Sequence, residues 1–117
     1  MQTDKRYNIV ADQASTYQLA ITWLDPTGQP VNLDGYTAKM QVRLGYPEPS
    51  AVVTISSDNG EITLGGSAGT INLEISAEKM APLAARVYVY DLRLDNGAVV
   101  TRLIEGTFTV QATVTRV

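Results

Sequence analysis

From Thr37 to Leu44 polar and apolar residues alternate without a break. Ala38, Met40, Val42 and Leu44 fall on one side; Thr37, Lys39, Gln41 and Arg43 fall on the other. Successive side chains of an extended strand point to opposite faces. A strict period of two therefore sets one face on a core and the other in water. The same period runs through Tyr17, Leu19, Ile21 and Trp23, in a strand near residues 15–24. It recurs in Ile71, Leu73 and Ile75, and again in Tyr88, Tyr90, Leu92 and Leu94. Residues 51–56 form a short apolar run, and Ile62 and Leu64 a brief strand. Residues 98–117 are the longest strand-like stretch, with Gly106 expected as a bulge or bend.

Turn chemistry separates these runs. Asp25-Pro26-Thr27-Gly28, Asp34-Gly35, Asp58-Asn59-Gly60, Gly65-Gly66 and Asp95-Asn96-Gly97 combine a preset φ at Pro with residues that tolerate positive φ. Thr, Val and Ile supply 32 of the 117 residues, and branched side chains suit a pleated surface better than a helix. One segment breaks the pattern. Ser76 is placed to cap a short helical turn near residues 77–81, which Pro82 limits. About eight short strands with tight turns define an all-β fold, an immunoglobulin-like antiparallel β-sandwich, with a closed barrel as the other architecture. In such sandwiches a helical turn of this kind precedes a tyrosine whose hydroxyl bonds back to the backbone. Tyr88 stands either there or as an ordinary core tyrosine. The expected organisation is a single domain over 1–117, with an N-terminal arm at 1–6 and a C-terminal extension at 112–117.

The side-chain inventory restricts chemistry. The chain contains no Cys and no His, which excludes thiol nucleophiles, imidazole bases, disulfides and His- or Cys-ligated metals. Asp91 and Asp95 lie roughly 13 Å apart along one strand, too far for a glycosidase pair. They flank Arg93, as solvated ion-pairing residues do. Asp58 and Glu61 at a turn read as turn formers rather than calcium ligands. Gly65-Gly66-Ser67-Ala68-Gly69 reads as a hairpin loop, since no helix or Lys follows to receive a phosphate. No enzyme, cofactor or metal is expected. Nine Lys and Arg against twelve Asp and Glu give a net charge of −3. With no basic stripe, a nucleic-acid partner is not expected. No apolar run suggests a signal peptide or a membrane span.

Two segments stand out as binding candidates. Tyr46 sits in the loop Gly45-Tyr46-Pro47-Glu48-Pro49-Ser50, where Pro47 and Pro49 stiffen the chain at low entropic cost. The nearly uncharged tail alternates Thr107, Thr109, Gln111, Thr113 and Thr115 with apolar residues and ends in Arg116. Residues 107–112 read as the last strand of the sandwich, and residues 113–117 as a segment that can add to another subunit's sheet. Tyr46, Pro47, Pro49, Thr113, Thr115 and Arg116 are thus the candidate partner-binding residues. Trp23 shares the parity of Leu19 and Ile21 and is expected in the core rather than on a sugar-stacking platform.

Several blocks together carry a family resemblance: Tyr17-Gln18-Leu19-Ala20-Ile21-Thr22-Trp23, the stretch from Asp25 to Ala38 with Pro30-Val31-Asn32-Leu33-Asp34-Gly35-Tyr36-Thr37-Ala38 as its most specific part, Met40-Gln41-Val42-Arg43, Val89-Tyr90-Asp91-Leu92, and Arg102-Leu103-Ile104-Glu105-Gly106-Thr107-Phe108-Thr109-Val110. In this order the chain resembles small immunoglobulin-like domains of tailed bacteriophages and prophages, such as the N-terminal domain of the phage baseplate upper protein. The resemblance covers roughly residues 8–110. It implies a non-enzymatic virion structural protein, made in the host cytoplasm and present in several copies per particle. Its partners would be other virion proteins: tail, baseplate or fibre subunits. A tail or baseplate adaptor is the first reading. A capsid decoration (cement) protein and a carbohydrate-binding adhesion module are the alternatives, with a glycan partner disfavoured. No functional residue carries over from the family.

Overall fold

The computed structural model describes residues 6–115, and all structural statements concern these. Eight strands, numbered along the chain, fall into two sheets. The larger has the order β1 (Ile9–Asp12), β8 (Val100–Gln111), β7 (Val87–Asp95), β3 (Thr37–Arg43) and β4 (Val53–Ser56). The smaller has the order β2 (Tyr17–Thr22), β6 (Thr70–Ile75) and β5 (Ile62–Leu64). Two separate sheets make this an immunoglobulin-like sandwich rather than a barrel. All ladders are antiparallel but one: β1 runs parallel to β8, pairing Ile9 with Phe108 and Asp12 with Gln111. The periodicity did not disclose β1, which is four residues long.

The alternating apolar residues meet between the sheets. Met40, Val42, Ile55, Leu92, Leu94, Ile104 and Phe108 of the larger sheet oppose Ile21, Ile62, Ile71, Leu73 and Ile75 of the smaller, all buried. Burial of such a side chain stabilises by about 1.5–3 kcal/mol. The Tyr17 ring meets Phe108 edge-on, with centroids 6.0 Å apart, tying the sheets together on the side where β1 and β2 lie.

The helical turn α1 (Ala77–Met80) forms where expected, with the Ser76 hydroxyl accepting from the Lys79 amide at 3.2 Å. Met80 plugs the core beneath it. The Tyr88 hydroxyl donates to the Ala84 carbonyl at 2.8 Å, so Tyr88 is a corner tyrosine as well as a core residue. Gly106 is not the bulge. The register slips at Leu92/Arg93, so the extra residue opposite is Leu103. Leu103 and Ile104 both turn inward, which strand alternation forbids without a bulge. Gly106 instead permits close approach: a Cβ there would lie 2.5 Å from the Tyr7 carbonyl oxygen. Trp23 packs against the core, as expected, but at its margin. It lies just beyond β2, half-buried, with its ring edge-on to Tyr36 at 5.9 Å and 82°.

Candidate interaction surfaces

The outer face of the five-stranded sheet is built by strand parity. Residues that alternate with the core on β3, β7 and β8 must face solvent, and the register sets them side by side. Lys39 pairs with Arg93, and Arg93 with Arg102. Three cations thus stand across three adjacent strands, an arrangement that costs stability unless anions intervene. The next rung supplies them, since Asp91 pairs with Glu105. Asp91 lies 3.7 Å from the Arg93 guanidinium, and Glu105 lies 3.4 Å from that of Arg102. Lys39 has no ion pair among the described residues. Lys39, Gln41, Arg43, Arg93, Arg102 and Tyr46 border a shallow depression of about 450 Å³. Four of the chain's nine cationic side chains therefore meet on one face of a molecule whose net charge is −3.

Arg43 connects this face to the proline loop. Its guanidinium donates to the Glu48 carbonyl at 2.8 Å and to the Gln41 side-chain oxygen at 2.8 Å. The loop is thus held by a cation at its base as well as by Pro47 and Pro49. Tyr46 at its tip is 66% exposed, and Pro47 and Pro49 are exposed beside it. Spacing alone gave no sign of Arg43's part.

The tail residues lie elsewhere. β3 and β8 both run antiparallel to β7, so the proline loop and the tail leave the larger sheet at the same end, with β7 between them. The Thr113 hydroxyl lies 3.2 Å from the Gln13 carbonyl and 3.0 Å from the Thr115 carbonyl. It therefore holds the start of the tail to the β1–β2 turn. Val114 is 99% exposed, and Arg116 lies outside the described residues. The structure thus brings Tyr46, Pro47 and Pro49 together and sets Thr113 and Thr115 apart from them.

Other sequence candidates are occupied locally. Asp95 accepts from the Gly97 amide at 2.8 Å as a turn former. Glu61 pairs with Lys79 at 2.7 Å. Asp25 accepts from the Thr27 hydroxyl and from the Thr27 and Gln29 amides. Those donors, the hydroxyl foremost, hold its carboxyl below the usual carboxylate range. Among the described residues no three acidic side chains converge as a metal site would require. Trp23 and Tyr36 meet edge to face and so form no flat platform together.

Sheet order, the corner tyrosine and the capped turn define an immunoglobulin-like domain. Comparison with solved structures bears this out. The extracellular domains of the voltage-gated sodium channel β4 subunit, described as parallel homodimers, share 13% identity over 95% of each chain with a TM-score of 0.50. The N-terminal domain of phage TP901-1 ORF48 shares 14% identity over 90% of this chain and 85% of that one, with a TM-score of 0.48. A family 123 glycoside hydrolase from Clostridium perfringens aligns with 93% of this chain but only 23% of its own, at 11% identity and a TM-score of 0.34. At 13% identity the likeness to the β4 domains is one of fold. No protein-family model matches the chain, and no curated protein matches its sequence.

Proposed function

We propose that this chain is a non-enzymatic structural protein of a bacteriophage virion, an adaptor of the tail or baseplate that docks other virion proteins. The observation that carries the reading is the outer face of the larger sheet. A row of Lys39, Arg93 and Arg102, bordered by Arg43 and Tyr46, suits an acidic protein surface: Lys39 can meet it directly, and Arg93 and Arg102 would share it with Asp91 and Glu105. The blocks that resemble phage immunoglobulin-like domains support it. They fall on β2, β3, β7 and β8 and, for the stretch from Asp25 to Tyr36, on the connection between β2 and β3. Tyr46, Pro47 and Pro49 form a rigid second contact beside it. Thr113, Thr115 and Arg116 belong to a separate contact at the end of β8.

Gold-labelled antibody against the chain, applied to particles from the source culture, tests the reading. Label on the tail or its tip is the expected result. Label on the head would replace the adaptor with a decoration protein, and particles without label would overturn both. Arg93→Glu, which reverses the centre of the row, is expected to abolish incorporation while leaving the circular dichroism spectrum unchanged.

A further inference from the structure

Each sheet of an open sandwich ends in two edge strands whose outward amides and carbonyls can pair with another chain. Three of the four edges here are short or blocked. β5 has three residues, and β1 has four and ends in Asp12. β4 also has four, and the Lys79 ammonium occupies its Thr54 carbonyl at 2.9 Å. The edge of β2 is different. It is six residues long, Tyr17-Gln18-Leu19-Ala20-Ile21-Thr22, and carries no charge and no proline.

The ladder shows which groups face outward. On β6 the Glu74 amide bonds to the Glu61 carbonyl on the β5 side, as does the Thr70 carbonyl to the Gly65 amide. Even-numbered residues of β6 therefore serve β5, and Ile71, Leu73 and Ile75 serve β2 through Ile21, Leu19 and Tyr17. On β2 it follows that Gln18, Ala20 and Thr22 aim their amides and carbonyls away from the sheet. The inward side is also incompletely covered: Tyr17 and Leu19 are only partly buried where Ile21 is fully so.

We infer that the β2 edge is a self-association site, pairing antiparallel with β2 of a second copy about a twofold axis through Ala20. In that register Gln18 faces Thr22 of the second copy, Ala20 faces Ala20, and Thr22 faces Gln18. All are hydrogen-bonded pairs, so three outward amides and three outward carbonyls on each chain are satisfied together. The choice of a second copy follows from the edge itself. A twofold axis sets the central residue against its own copy, where a charge would meet a like charge, and this edge carries none. The smallest side chain of the strand sits on the axis. Leu19 comes opposite Ile21 of the second copy, joining two half-covered apolar rows. The product is one continuous six-stranded sheet with the basic faces of both copies free. The inference goes beyond the virion reading and does not depend on it.

The full chain has no cysteine, so Ala20→Cys can form only an intermolecular disulfide. Directly opposed residues of this pair type have Cα atoms about 5.5 Å apart, within disulfide reach. Mild oxidation is expected to convert Ala20→Cys to covalent dimer, while Thr63→Cys, on the outer side of β5, stays monomeric. In solution the unmodified chain at about 1 mM should have a mean mass well above one chain, since even a contact worth about 4 kcal/mol puts about half of the chains in dimer there. Ala20→Lys and Ala20→Pro should each weaken the dimer more than about tenfold, with thermal unfolding retained. The proline removes only an outward amide and spares the bonds to β6. A monomer at about 1 mM, a dimer that survives Ala20→Lys, or equal cross-linking through Thr63→Cys overturns the inference. A foreign partner on the edge would appear as the first of these.

Discussion

The two lateral sides of the sandwich solve the same problem in opposite ways. On one side β4 and β5 are spanned by Lys79, which donates to the Thr54 carbonyl at 2.9 Å and pairs with Glu61 at 2.7 Å. A single ammonium, delivered by the capped turn α1, satisfies an edge acceptor on one sheet and a carboxylate beside the other. On the opposite side β1 joins the larger sheet and leaves the outer edge of β2 unpaired. Contact there rests on aromatic packing: Tyr17 on Phe108, and Tyr90, whose hydroxyl donates to the Tyr7 carbonyl. The difference shows that an edge is closed by one well-placed side chain, not by sheet size, and that crossover of the first strand decides which side stays available.

The largest expected effect tests the open side. Gly106→Ala sets a Cβ 2.5 Å from the Tyr7 carbonyl oxygen, so the Tyr7–Asn8 backbone must move off β8. A loss of about 2–3 kcal/mol in urea unfolding is expected, with faster amide exchange over Ile9–Asp12. Unchanged stability would mean that this segment contributes little to the open side. Next comes the closed side. Lys79→Met leaves the Thr54 carbonyl and Glu61 without their cation. Because the ion pair is partly exposed, about 1 kcal/mol is expected. Hydrogen exchange should rise along β4 and β5 and stay constant along β2.

Alkaline titration separates the sides without mutation. Burial, with a smaller contribution from Tyr7, pushes the Tyr17 phenol up from 10.0 to about 12. The neutral phenol is the form the fold favours. Its contribution is complete below about pH 10 and is lost as pH rises through about 12. Tyrosinate absorbance should lag behind that of a denatured control, and exchange should accelerate first along β2. The smallest effect is local. The Asp25 carboxyl is depressed by the Thr27 hydroxyl and the turn amides, so its contribution is present above the ordinary carboxylate value and lost as pH falls through the depressed one. Acid titration followed by nuclear magnetic resonance should move resonances of residues 25–29 while β2 stays paired.

What the sequence disclosed follows from which features are local. β3 was readable because every outward position is polar, and the turns because Asp, Asn, Pro and Gly announce themselves. The cap at Ser76 and the turn behind it also depend only on neighbours. The misplaced features all depend on long-range packing. The Leu103 bulge exists because of its fit to β7, so Gly106, the residue with the usual signal, was the wrong choice. β1 is short, and its partner lies nearly a hundred residues away. Ala14, buried at a φ of 56° in the turn between β1 and β2, sits in a left-handed position without the Gly or Asn that marks one. Of the candidate surfaces, the exposed loop around Tyr46 was legible. The row of Lys39, Arg93 and Arg102 was not, because it joins three strands whose register no single stretch encodes.

The parallel union of β1 with β8 has a mechanical side. The chain enters β1 at the Ile9–Phe108 rung and leaves β8 at the Asp12–Gln111 rung, the two ends of one four-rung ladder between neighbouring strands. Tension between the two ends would drag these strands lengthwise past each other, loading the rungs from Ile9–Phe108 to Asp12–Gln111 simultaneously instead of peeling them one by one. A subunit pulled in line within a larger particle would resist first through that short clamp, whose Ile9, Ala11, Phe108 and Val110 are anchored in the core.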